Sequence, residues 1–167
     1  VITSSYTWTT GDSNPEDARD AALAMASKNY WTGWDSMYEG QSGGTIYNSL
    51  FDLTNSHIMG TTLQFVPLED ITAKISWWGL WVDKELTDAE TLSMDWLTPD
   101  GSTLNDGIAL VVDENHLGYE LDVDLLYDYT EDVQIGFSAG WFFPGDYLSE
   151  DNNDVAKQFL TNVNVNF

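Results

Sequence analysis

Apolar and polar residues alternate with period two in six stretches of the chain. That period belongs to a β-strand, whose successive side chains point to opposite faces. The longest stretch, 117–129, sets Leu117, Tyr119, Leu121, Val123, Leu125, Tyr127 and Tyr129 on one face. Gly118, Glu120, Asp122, Asp124, Leu126 and Asp128 take the other. After the short segment "TED" the pattern resumes over 133–143. Val133, Ile135, Phe137, Ala139, Trp141 and Phe143 oppose Gln134, Gly136, Ser138, Gly140 and Phe142. In the last segment Phe159, Thr161, Val163, Val165 and Phe167 oppose Gln158, Leu160, Asn162, Asn164 and Asn166. Three earlier stretches follow suit. Residues 1–10 place Ile2, Tyr6 and Trp8 against Thr3, Ser5, Thr7 and Thr9. Residues 57–66 align Met59, Thr61, Leu63 and Phe65. Residues 71–83 set Ile71, Ala73, Ile75, Trp77 and Trp81 against Thr72, Lys74, Ser76 and Trp78. The expectation is an all-β, antiparallel chain of six strands.

The connections are unequal. Tight turns are expected at 67–70 ("PLED") and 129–132, and long connections at about 11–56, 84–115 and 144–154. Long and short alternate, so every long connection falls at one end of the strands. Transmembrane β-barrels have that asymmetry, with long external loops and short periplasmic turns. Pro15, Pro67, Pro99 and Pro144 fall in loops or at strand ends, where no ladder hydrogen bond is lost. In the first loop, "NPEDARDAALAMASKN" predicts a short helix, with Asn14 as cap, Pro15 in the first turn and acidic residues after it. "SGGT" (42–45) lacks the following Lys and helix of a phosphate loop and reads as a turn.

Composition narrows the classes. The chain has 167 residues, 28 acidic and 5 basic side chains, a net charge of -23 and no cysteine. Such a balance argues against nucleic acid as a partner, since phosphates demand Lys and Arg. Disulfides and thiolate metal sites are excluded. Disorder does not fit 43% hydrophobic and 14% aromatic residues. No apolar run approaches the about 20 residues of a transmembrane helix, and no signal peptide is visible. The chain opens directly in a strand-like segment, as a mature form or a piece of something longer would.

A soluble sandwich or lipocalin-like barrel would turn the apolar faces inward and interleave small residues there. Here those faces collect aromatics near the strand ends: Trp8, Trp81, Trp141 and Phe143 toward the long loops, and Phe65, Tyr127, Tyr129 and Phe167 toward the short turns. Paired aromatic girdles around an aliphatic middle suit a lipid-facing surface. The opposite face, rich in Asp, Asn, Gln, Ser and Gly, suits a wet lumen. Backbone groups in lipid must all be paired, so a spanning sheet has to close. The smallest such barrels have about eight strands, so six are either the C-terminal part of a larger barrel, the favoured expectation, or one share of a barrel that several copies close together.

The stretch "LGYELDVDLLYDYTEDVQIGFSAGWFFPGDYL" resembles the C-terminal strands of the alginate-export family of outer-membrane porins. The resemblance rests on an "LG-E-D" strand, a tight turn and a strand ending in "FFPG". The segment "DSMYEGQSGGTIYNSLFDLTNSHIMGTTLQFVPLEDITAKISWWGLW" is similar to that family too, and together they span about residues 30–167. The resemblance implies a transmembrane β-barrel of about eighteen strands in the outer membrane of a Gram-negative bacterium, with this chain as its last third. It also implies contact with outer-membrane lipid and lipopolysaccharide. Phe167, after alternating apolar residues, is similar to the signal read by the outer-membrane insertion machinery.

The lumen chemistry expected is acidic. If the "TED" hairpin pairs Asp128 with Gln134, then Asp124 faces Ser138 and Asp122 faces Gly140, and the carboxylates look across small residues into open space. The expected pore-lining set is Lys74, Glu120, Asp122, Asp124, Asp128, Gln134, Ser138, Gln158, Asn162 and Asn164. Clustered carboxylates attract cations or are simply solvated. The only arginine, Arg19, lies in a loop, so these strands suit small solutes or cations better than a polyanion. "DENH" (Asp113, Glu114) and "SEDNND" (Asp151, Asp154) offer oxygen ligands for calcium, without the spacing of a twelve-residue calcium loop. No other cofactor is suggested. Catalysis is not expected: His57 and His116 are the only histidines, His116 reads as a strand-end hydrogen-bonding residue, and Asp122 and Asp124 read as electrostatic. The expectation is a passive porin. The alternatives are a structural barrel holding a partner protein in its lumen or at its loops, and a soluble acidic β-domain binding calcium or carbohydrate.

Overall fold

A computed structural model describes residues 1–11, 33–35, 43–51, 53–85, 114–148 and 153–166. The helix expected over 14–29 lies outside the described residues. Six strands are present: β1 (Ile2–Thr9), β2 (Ser56–Leu68), β3 (Ile71–Val82), β4 (His116–Asp128), β5 (Val133–Pro144) and β6 (Ala156–Val165). A single short helix among the described residues, α1 (Tyr47–Leu50), precedes β2. The strands form one antiparallel sheet in chain order, β1 to β6. The sheet is not closed, and β1 and β6 are its two edges.

The register follows from the turns. Between β4 and β5, Asp128 lies opposite Gln134, Asp124 opposite Ser138 and Asp122 opposite Gly140, the pairing the "TED" hairpin predicts. The backbone N–H of Tyr129 and that of Thr130 both donate to the Val133 carbonyl, which closes this turn. Pro67 lies within the register irregularity between Phe65 and Leu68, where no regular ladder bond is lost.

One side of the sheet is aromatic and aliphatic and uncovered. Met59, Leu63, Phe65, Ile75, Trp77, Leu121, Leu125, Ile135, Phe137, Phe159 and Val163 are all exposed. The other side carries the carboxylates, and there the sheet differs from expectation. Toward the long connections this face is apolar, not wet. Ile58, Leu80, Val82, Leu117 and Phe142 form a cluster covered by Ile46 and Tyr47 from one connection and by Tyr147 and Leu148 from another. Burying a side chain such as Leu80 or Phe142 contributes about 1.5–3 kcal/mol relative to leaving it in water.

Leu117 belongs to this cluster rather than to the aromatic face where strict alternation places it. The cause is a break in register: Leu80 pairs with Gly118, but the next pair is Trp81 with His116. The extra residue is Leu117, and Gly118 takes a φ of +147°, open to glycine and strained for other residues. A bulge thus turns Leu117 through the sheet.

Candidate functional site

The carboxylate face of β4 sets the site. Glu120 and Asp122 follow the two-residue period onto one face, yet neither is solvated: Glu120 is 0% exposed and Asp122 3%. The space over Gly140 that would have opened in front of them holds Thr45 and Ile46. A charged carboxylate is costly to bury without partners, so its hydrogen bonds decide whether it is tolerated. Here the partners are backbone. Thr45 and Ile46 donate their N–H groups to Glu120 Oε1 at 2.5 and 2.8 Å, and Tyr47 donates its own to Oε2 at 2.6 Å. Thr45 Oγ1 donates to Asp122 Oδ1 at 2.5 Å, and the Trp78 indole N–H to Oδ2 at 3.1 Å.

Two glycines make this possible. Gly43 and Gly44 have φ values of +123° and +59°, which turn successive N–H groups into a concave nest. The Tyr47 ring meets the Trp78 ring edge-on, with centroids 5.6 Å apart. Burial, then the nearby Glu120 and Asp122, push the Tyr47 phenol well above its ordinary range, so the ring stays neutral.

Further along β4 the face opens. Ser138 Oγ donates to Asp124 Oδ1 at 2.5 Å, and Gln134 Nε2 to Asp128 Oδ1 at 2.7 Å. Lys74 is the cross-strand partner of Asp124, but the ion pairs among the described residues are elsewhere, both on Asp83. Asn162 covers Gly136, and Asn164 lies opposite Gln134. Gln158 lies opposite Gly140, with a buried Oε1 that has no hydrogen-bond partner. All ten residues of the expected polar set therefore occupy one face: Glu120 and Asp122 are sealed, Gln158 is half-buried at their level, and the other seven form a more accessible group toward the short turns.

On the aromatic face, one row crosses four strands near the long connections: Trp8, His57, Trp81 and His116 are successive register partners. Trp8 and His57 are stacked 5° from parallel. The Tyr6 hydroxyl lies 2.6 Å from His57 Nδ1, and His57 Nε2 lies 3.1 Å from Asp83 Oδ1. The Trp8 indole N–H and the Gly11 N–H also donate to Asp83. His116 packs against Tyr119 at 4.3 Å, and its Nε2 is buried without a hydrogen-bond partner. That nitrogen departs from the hydrogen-bonding role expected of His116, because the ring turns into the aromatic row.

Trp8, Phe143, Tyr127 and Tyr129 of the expected girdles are exposed on this face, and Trp81 and Trp141 half-buried beside neighbouring rings. Phe167 lies outside the described residues, as do the candidate calcium ligands Asp113 and Asp151. Glu114 and Asp154 are exposed, and no cluster of metal-ligating side chains occurs among the described residues.

Segment 43–51 completes the site, and its one mark in the sequence is the glycine pair of "SGGT", which by itself indicates only a turn. A scan against protein-family models and a search of curated proteins found no match to this chain.

Proposed function

We propose that these six strands belong to a closed transmembrane β-barrel of a bacterial outer membrane, one that passes small solutes or cations through an acidic lumen. The observation that carries this reading is the uncovered aromatic and aliphatic face, which extends over all six strands. A single sheet with one bare apolar face is incomplete in water, because a domain buries such a face against a second layer. Lipid is a second layer that needs no further chain. Strands of 12 and 13 residues suit a tilted span of about 9–11 residues with some excess at the ends. Closure would pair the free edges of β1 and β6 with further strands, as lipid requires of every backbone group. The carboxylate face then lines the interior. Asp124 and Asp128, with Gln134 and Ser138, give it an acidic wall that favours cations over anions.

The packing of 43–51 and 145–148 on that interior favours a second reading, a structural barrel whose lumen is filled. Recording in planar bilayers separates the two. The porin reading expects steady unitary currents that select for cations. The structural reading expects inserted protein and no current. A chain that stays monodisperse without detergent would overturn both in favour of a soluble domain.

A further inference from the structure

Segment 43–51 does not drape across the carboxylate face at random. It is fixed by hydrogen bonds to carboxylate-face side chains and by packing of the same residues. Three consecutive backbone N–H groups converge on the Glu120 carboxylate, and Thr45 is tied in addition to Asp122. Ile46 and Tyr47 are buried in the apolar cluster, while Asn48, Ser49 and Leu50 of the same turn stay exposed. No Lys, Arg or His within salt-bridge distance compensates Glu120 among the described residues. The backbone N–H groups of 45–47 are therefore the partners that satisfy its oxygens, and those oxygens are what hold the segment.

On the barrel reading given above, on which this rests, we infer that segment 43–51 is a built-in constriction at the long-loop end of the lumen, with Glu120 as the positioning residue that pins it. The segment covers the carboxylate face at the level of Trp78, Glu120 and Phe142. Toward the short turns that face is open, and the Lys74 and Asp128 side chains are exposed. Solute size is then set at the first of these levels, and the acidic residues at the second set only the charge preference.

Glu120→Gln is the graded variant. Its amide oxygen still accepts two N–H groups, but its amide nitrogen meets the Tyr47 N–H donor to donor. Glu120→Ala removes the pin. Both are measured in the full-length protein in planar bilayers, with unitary conductance and the size cut-off for entry of polyethylene glycols. The inference expects both quantities to shift upward in the order wild type, Gln, Ala. A wild type that inserts without conducting, with an Ala variant that conducts, supports it equally. Inserted variants with wild-type conductance and cut-off overturn the inference while leaving a conducting barrel intact. No current from either wild type or Ala variant overturns both.

Ser49→Cys gives an independent test that leaves the pin alone, because the chain has no native cysteine. A bulky aqueous thiol reagent there is expected to cut the unitary current, and full labelling without any change in current contradicts the constriction.

Discussion

Leu121 and Asp122 are neighbours in the chain with inverted environments: Leu121 leaves 37% of its surface exposed and Asp122 leaves 3%. In a protein folded against water the order is ordinarily the reverse, since burial of apolar surface drives folding and carboxylates stay solvated. The inversion is repeated across the sheet, with Leu125 and Phe137 exposed and Glu120 sealed. Two consequences follow from it: the exposed face needs a non-aqueous neighbour, and the sealed face needs internal partners for its charge.

If the neighbour is lipid, a charge on the exposed face is penalised and its loss from the other face is not. Leu121→Arg is expected to cost about 2–4 kcal/mol in lipid vesicles, the range for a cation near the bilayer midplane. Asp124→Asn, on the opposite face, is expected to change stability by less than about 1 kcal/mol, since it keeps a partner for Ser138. Urea unfolding from vesicles compares the two.

The bulge at Leu117 gives a prediction about backbone. A side chain on Gly118 would meet the Phe143 carbonyl and would carry a φ of +147°. Gly118→Ala is expected to destabilise by about 1–3 kcal/mol. Gly136→Ala is limited instead by the Asn162 side chain, which can move aside. It should cost less in the same unfolding titration.

Phe142 anchors the covered half of the sheet, 2% exposed and tilted against Phe51 with centroids 5.5 Å apart. Phe142→Ala is expected to cost about 3–5 kcal/mol through the cavity it leaves. Because its neighbours include Ile46 and Tyr47, the loss falls first on segment 43–51. Faster amide exchange at 45–47, with the β3–β4 ladder still protected, is the expected signature.

Asp83 provides a dependence on pH. The Gly11 N–H at 3.0 Å chiefly lowers its carboxyl below the usual range, against a smaller opposing effect of burial, with Trp8, Lys84 and His57 adding to the lowering. A carboxylate lowered on folding adds stability that is complete above its unfolded value of about 3.9 and is lost as pH falls through the folded value. Asp83→Asn should therefore be less stable than wild type at neutral pH, with the gap closing below about pH 4. Unfolding midpoints of both proteins at neutral and acid pH check the sign.

Strand number, strand faces and the β4–β5 register were legible because they rest on a local period and one tight turn. Asp122 opposite Gly140 needed nothing more than "TED" as a hinge. What sits on the carboxylate face was not legible. Leu117 crosses the sheet at a bulge, which alternation cannot express, and Gly118 was the one residue that marked it. Trp78, Leu80 and Phe142 lie on the polar side of the pattern, but Ile46, Tyr47, Tyr147 and Leu148, which cover that face, come from the long connections, as does Thr45, 75 positions before Glu120. Such contacts depend on the path of a long connection, and no periodicity records it.

In a lipid-spanning sheet the Leu121 side lies against acyl chains and the Asp124 side faces water. Single cysteines at Leu121, Leu125 and Phe137, and at Asp124 and Ser138, can each carry an environment-sensitive fluorophore in an otherwise cysteine-free chain. Quenching is then measured with brominated lipids and with aqueous iodide. The first three labels are expected to be quenched by the lipids and spared by iodide, and the last two the reverse. Iodide quenching at Leu121, Leu125 and Phe137, with no effect of brominated chains, would contradict it.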